Sequence, residues 1–190
     1  MKKYILPILA AIPLSNASAV TLFTESPTEN LSPSATMPTS LGTLALGDND
    51  VIGQIGGGVR DHFTFNVADG QQLDAITLVS GTGTNHFFGL DDQATFGGNL
   101  VISTLFSATE SDFNVDFLDT FAAGGNFGGS GVTNSSLSSG DYTILVNETG
   151  GADNAFDYQL RLTTVAVPEP SSSLLLSLGM FGLMINRRRK

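Results

Sequence analysis

The chain contains no cysteine and no tryptophan. Without thiols there is no disulfide framework, no thiolate nucleophile and no cysteine-based zinc site, so stability must come from a packed core. Histidine is limited to His62 and His86, which leaves few side chains able to act as bases near neutral pH. Proline is missing between Leu44 and Ala166. Positive charge is scarcest. Of eight lysines and arginines, six (Lys2, Lys3, Arg187, Arg188, Arg189 and Lys190) stand at the two ends. Residues 20–166 therefore hold Arg60 and Arg161 against seventeen acids, the eighteen of the chain less Glu169, for a net charge of −15. A domain this acidic is repelled by nucleic acid and by anionic lipid, and it attracts divalent cations. No nucleic-acid partner is expected.

What is present is concentrated at the ends. Lys2 and Lys3 form a basic start, Ile5 to Ile12 an apolar stretch, and Ala17-Ser18-Ala19 a small-residue cleavage site. This is the pattern of a secretory signal peptide over residues 1–19, read by the secretion machinery, with the mature chain expected to begin at Val20. At the other end Val167-Pro168-Glu169-Pro170 precedes an uncharged apolar segment, residues 171–186, and then the basic cluster Arg187, Arg188, Arg189 and Lys190. The apolar segment is short of the roughly 20 residues that span a bilayer comfortably and would cross as a short transmembrane helix with local thinning. The terminal basic residues favour a cytoplasmic C-terminus, placing the rest of the chain beyond the inner membrane. An ordinary single-pass anchor is one reading of these features.

The order of the three parts, Val167-Pro168-Glu169-Pro170, apolar segment and basic end, resembles the PEP-CTERM sorting signal of Gram-negative, exopolysaccharide-producing bacteria. The resemblance implies an exosortase as partner, with Val167, Pro168, Glu169 and Pro170 as its recognition residues and Arg187 to Lys190 as the retained basic end. It also implies an inner-membrane intermediate followed by the cell surface or the extracellular, biofilm matrix.

Residues 20–43 read as an extended linker or edge segment: ten of the twenty-three residues from Thr21 to Thr43 are Ser or Thr, with Pro27, Pro33 and Pro38 among them. Beyond Leu44 the period changes to two. Phe63, Phe65 and Val67 alternate with His62, Thr64 and Asn66, which places His62 on the outward phase as a surface histidine. Tyr142, Ile144 and Val146 alternate likewise, with Leu145 suggesting burial on both faces. Phe156, Tyr158, Leu160 and Leu162 alternate with Asp157, Gln159, Arg161 and Thr163. Leu73 to Ser80 and Leu100 to Phe106 suggest central strands. Residues 110–121 fit either a helix, through Phe113, Phe117 and Phe121, or a strand, through Phe113, Val115 and Phe117; few true helix formers are present, and strand is preferred. The fold class expected for 44–166 is all-β, an antiparallel jelly-roll-like sandwich. Two stretches, Gly58 to Gly70 with Asp61 to Val67 and Leu137 to Leu162 with Ser139 to Val146 and Tyr158 to Leu160, resemble the bacterial pre-peptidase C-terminal domain, which implies a non-catalytic jelly-roll-like module. Phe117-Leu118-Asp119-Thr120-Phe121 resembles the Phe-x-Asp-x-Phe motif of a PEP-CTERM subgroup.

Chemistry is hard to assemble. No Gly-x-Ser-x-Gly elbow and no His-Glu-x-x-His motif occurs, and Gly56-Gly57-Gly58 and Gly97-Gly98 do not form a nucleotide fingerprint. No catalytic residues are expected. Gly47-Asp48-Asn49-Asp50 offers oxygen ligands, although Ile52 in the fifth position bars an EF-hand; Asp48 and Asp50 are expected ligands of a structural calcium. A carbohydrate- or calcium-dependent extracellular binding module is the alternative role, with exopolysaccharide as its partner, although Tyr142 and Tyr158 fall on inward phases and Phe87-Phe88 is the one candidate exposed aromatic pair. The leading expectation is a secreted, non-enzymatic surface or matrix protein.

Overall fold

A computed structural model describes residues 18–56, 58–83, 86–97, 100–106, 113–121, 136–149 and 156–167. Nine strands follow in order: β1 Val20–Thr24, β2 Thr39–Thr43, β3 Gly47–Ile55, β4 Arg60–Val67, β5 Gln71–Gly81, β6 His86–Asp91, β7 Leu100–Phe106, β8 Gly140–Glu148 and β9 Phe156–Ala166. Among the described residues one short helix, α1 Phe117–Phe121, lies between β7 and β8. The strands form two sheets, ordered β1-β3-β9-β5 and β2-β4-β8-β6-β7. The protein is all-β, and its sheets face each other across one core.

The alternation read from the sequence sets that core. On β9, Phe156, Tyr158, Leu160 and Leu162 point inward and are nearly inaccessible. Opposite them Phe63, Phe65 and Val67 of β4, Ile144 and Val146 of β8, and Phe88 and Leu90 of β6 fill the second sheet's inner face. Each such side chain withdrawn from water contributes roughly 1.5–3 kcal/mol.

Four expectations are corrected. The sheets are mixed, because β1 pairs with β3 and β2 with β4 in parallel, so the Ser/Thr-rich segment supplies one edge strand to each sheet. Β-strands β5 and β7 are not central: each ends a sheet. On β5 Leu73, Ile76 and Leu78 share one inward face, and on β7 Ile102 and Phe106 are buried while Leu105 is exposed. Residues 117–121 are helix, not strand. Asp116 decides this locally: its Oδ1 accepts hydrogen bonds from Leu118 N at 2.9 Å and from Ile76 N at 3.0 Å, capping the helix and pinning it to the open edge of β5. Phe117 and Leu118 then enter the core. Finally, His62 keeps the outward phase but is only 2% exposed, because the chain around Ser32 crosses it.

That covering layer explains why Leu145 of β8 is buried on the outer face. His62 N donates to Ser32 O at 2.8 Å, and Phe96 N to Ala35 O at 2.9 Å. The Phe96 ring lies over Gly89, where a Cβ would come within 2.8 Å of it, and meets the His62 ring edge-on at 5.6 Å. Asp91 holds the 91–97 loop in place by accepting from Gly97 N at 2.9 Å.

Candidate functional site

The outer face of the first sheet carries a polar ladder. Cross-strand register sets Asp50 opposite Arg161 and Asp48 opposite Thr163. Arg161 Nε and Nη2 donate to the two Asp50 oxygens at 2.8 and 2.9 Å, Gln159 Nε2 donates to Asp50 Oδ2 at 2.9 Å, and Thr163 Oγ1 donates to Asp48 Oδ1 at 2.8 Å. Arg161 Nη1 also lies 3.5 Å from Asp48 Oδ2. These hydrogen bonds hold the guanidinium pKa above its ordinary value. The donor set does not fit calcium as the sequence suggested: Asp48 and Asp50 already face a fixed cation, and both Asp50 oxygens are engaged. Among the described residues no group of three or more metal-ligating side chains assembles. We expect calcium or a chelator to leave the melting temperature of the wild-type domain unchanged. Replacing Arg161 by alanine strands the nearly buried Asp50 and should cost about 2 kcal/mol in urea denaturation, with calcium then restoring part of it.

The second feature is a cleft of about 840 Å³ at the end of the sandwich where β3 finishes and β9 begins. Leu31, Ile52, Ile55 and Val59 supply its apolar wall, and Glu25, Asp61 and Asp157 its acceptors. Glu25 is structural: its carboxylate accepts from Leu31 N at 2.6 Å and from Gln54 N, tying the 25–31 loop to β3. Asp157 accepts from Gln54 Nε2 at 2.6 Å. Asp61 is different. It is 1% exposed and faces the interior, and its hydrogen bond is the 2.8 Å one from Tyr158 Oη to Oδ2. Burial pushes its carboxyl up to about 7, against the stabilising Tyr158 bond and with a further push from Glu25. Burial and the neighbouring Asp61 charge likewise raise the Tyr158 phenol. Tyr158 reaches Asp61 only because β3 has Gly53 where its ring crosses.

The histidines do not join this cleft as catalytic bases. His86 is fully buried, stacked on Phe156 at 3.7 Å and 11°, with the tilted Phe106 ring 5.4 Å from it and 5.9 Å from Phe156. Burial lowers the pKa of both His86 and His62. His62, expected at the surface, is covered by a loop and a ring, and His86 is enclosed by aromatic rings. Glu148, paired with His86 across β6 and β8, is also buried. Phe88 belongs to the core and Phe87 is half-buried, so the aromatic pair offers no open platform. Sequence reasoning missed Asp61 and Gly53 altogether. The one available signal was an acid on the inward phase of β4, two residues before Phe63.

The third feature is the junction with the tail. Val167 N donates to Gly70 O at 2.8 Å, so the sheet is tied down up to the residue before Pro168. Val167 and Ala19 are described; Ala17, Pro168, Glu169, Pro170, the 171–186 segment and the cluster Arg187, Arg188, Arg189 and Lys190 lie outside the described residues. Among the described residues no helix is long and apolar enough to cross a membrane.

Comparison with known proteins adds one decisive match. No curated protein matches the chain. Among solved structures it is similar to PliG, a periplasmic lysozyme inhibitor of g-type lysozyme. The Salmonella Typhimurium protein is 17% identical, covering 66% of this chain and 98% of that one, at a TM-score of 0.36. The Aeromonas hydrophila protein is 11% identical, with 77% and 96% covered and a TM-score of 0.37. A mutant of the Escherichia coli protein is 16% identical, with 66% and 97% covered and a TM-score of 0.35. The match that identifies a part of the chain lies at its end, where β9 gives way to Pro168: residues 166–190 are a PEP-CTERM protein-sorting motif, and they mark the chain as an exported protein of the kind processed by an exosortase.

Proposed function

We propose that the chain is a non-enzymatic protein of the cell surface or exopolysaccharide matrix, delivered as an inner-membrane intermediate and processed by an exosortase. The observation that carries this reading is the sorting motif beginning where the folded domain ends. The signal peptide, cut after Ala19, starts export. The basic cluster Arg187 to Lys190 holds the tail on the cytoplasmic side while the acidic domain folds beyond the membrane. Processing near Pro168-Glu169-Pro170 then frees the domain or joins it to another carrier. The absence of thiols and the net charge of −15 suit a soluble module that resists oxidation and self-association outside the cell. The test is intact mass and fractionation in the native host, with Pro168, Glu169 and Pro170 changed to alanine. A shortened or modified extracellular product that disappears in the variant is expected. Full-length protein retained in the inner membrane in both cases would replace this reading with a plain anchor.

The strand order supports a jelly-roll topology for the module. Strands β3 to β6 alternate between the sheets, and β8 and β9 return to lie between β4 and β6 and between β3 and β5. The position beside β5 at the sheet's end is taken by residues 113–121, through bridges of Leu78 with Phe113 and Thr77 with Asp116. This arrangement also supports the pre-peptidase C-terminal resemblance. The Phe-x-Asp-x-Phe subgroup rests on α1, whose Phe117 packs on Phe88 at 5.1 Å and serves the core.

A binding module is the second reading, favoured by the cleft. Its apolar wall and its acceptors suit a ligand rich in hydroxyl donors, such as a saccharide. This reading requires ligand-dependent stabilisation of the isolated domain.

A further inference from the structure

The first and last strands of the described fold put Val20 and Val167 at the same pole. Β-strand β9 ends at Ala166 beside Gln71 of β5. The start of β3 at Gly47 pairs with Thr164, and the exposed Leu46 lies just before it. Because β1 runs parallel to β3, Val20 falls opposite Asn49, two residues in from this pole. The cleft lies at the other pole, where Ile55 pairs with Phe156. The eleven residues of β9 separate the two by about 33 Å at roughly 3.3 Å per residue.

Three of the exposed large apolar side chains mark the pole opposite the cleft: Val20 at 46%, Leu46 at 55% and Val167 at 41%. Each keeps about half of its surface uncovered by the described residues. The sequence says what lies beyond them. Only Pro168, Glu169 and Pro170 separate Val167 from the uncharged segment that starts at Ser171. Three residues cannot span more than about 10 Å even when extended. The Val167–Gly70 hydrogen bond leaves no slack on the domain side.

We infer that, before processing, the domain stands directly on the outer leaflet of the inner membrane, with Leu46, Val167 and Val20 against the lipid surface and the Asp61 cleft aimed away from it. The inference rests on the sorting reading, since it needs residues 171–186 in the bilayer. It goes further by fixing which pole faces the lipid. The motif is then confined to a layer about 10 Å deep between domain and membrane, and a membrane-embedded processing enzyme must enter that layer from the side. Opposing the contact is charge: Asp69 is exposed in the turn beside Gly70, and residues 43–47 and 67–70 at this pole carry no basic side chain. A zwitterionic surface therefore suits this pole better than an anionic one.

The lack of cysteine makes the test direct. Full-length chain carrying Leu46→Cys or Val59→Cys, both at exposed positions, is labelled with a single fluorophore and reconstituted in phosphatidylcholine vesicles containing a headgroup nitroxide lipid. Quenching at position 46 is expected to exceed that at position 59 severalfold. Equal quenching in protein that floats with the vesicles would overturn the inference alone. Protein that does not float would overturn both the tail reading and the inference built on it.

Discussion

Asp61→Asn is expected to stabilise the domain at pH 8 and to remove a component of its pH dependence. Asp61 has a carboxyl pushed from an ordinary 3.8 up to about 7 by burial, so the folded state keeps its proton over a range in which the unfolded chain has lost it. The sign follows directly. Between these values the native state binds more protons than the unfolded state, so stability falls as pH rises. The favourable contribution of the protonated group is complete below about pH 4 and gone above pH 7. The difference of roughly three pKa steps, at 1.36 kcal/mol each, is about 4 kcal/mol at its largest. Asparagine is nearly isosteric and carries no charge. Its carbonyl can accept the Tyr158 hydroxyl in place of Oδ2. The variant should gain about 2–4 kcal/mol at pH 8 and match the wild type near pH 4, measured by urea denaturation at several pH values. Parallel pH profiles for the two proteins would remove Asp61 as the source. Because only the difference between the proteins is read, other titrating groups such as Asp116, also raised by burial, cancel.

The second large effect belongs to Gly53. A Cβ at this position would lie 2.3 Å from both Cζ and Oη of Tyr158, and that ring is fully buried among Phe156 and its neighbours. No flexible end is available to move aside. Gly53→Ala must displace the ring, at a cost of about 1–3 kcal/mol for overpacking, and must break the Tyr158–Asp61 hydrogen bond, worth about 1–3 kcal/mol where a buried carboxyl is left alone. A loss of about 3–5 kcal/mol is expected, a large share of the stability of a domain this size. Combining it with Tyr158→Leu, which removes the clashing atoms, should cost clearly less than the sum of the single changes. A Gly53→Ala protein within 0.5 kcal/mol of wild type would show that the ring is not held across β3.

These two residues also show where sequence reading stops. Asp61 and Tyr158 are 97 positions apart, and Arg161 lies 111 from Asp50. Nothing local links them; the register of β3 with β9 and the stacking of one sheet on the other bring them together. Asp48 and Asp50, read from the sequence as calcium ligands, show the same limit, since the guanidinium that faces them comes from a distant strand. His62 is a subtler case. Its outward phase was legible from alternation with Phe63, but its burial depends on the segments around Ser32 and Phe96 folding over the sheet. Segment 110–121 was ambiguous because its phenylalanines satisfy both periods, and Asp116 resolved it by capping the helix at Leu118 N while bonding Ile76 N of β5. The parallel pairing of β1 with β3 and of β2 with β4 had no sequence signal: Ser- and Thr-rich edges satisfy either direction.

The inward faces of β4, β8 and β9 and the sorting tail were legible from the sequence alone. Strand alternation is local because the side-chain period of two is a property of the backbone, and the tail is a linear signal recognised by composition and order. The tertiary structure alone decided which acids are neutralised, which histidines are covered, and that Val20 and Val167 lie at one pole with the cleft at the other. Those outcomes follow from long-range register and layer packing, which place residues by their partners and not by their neighbours in the chain.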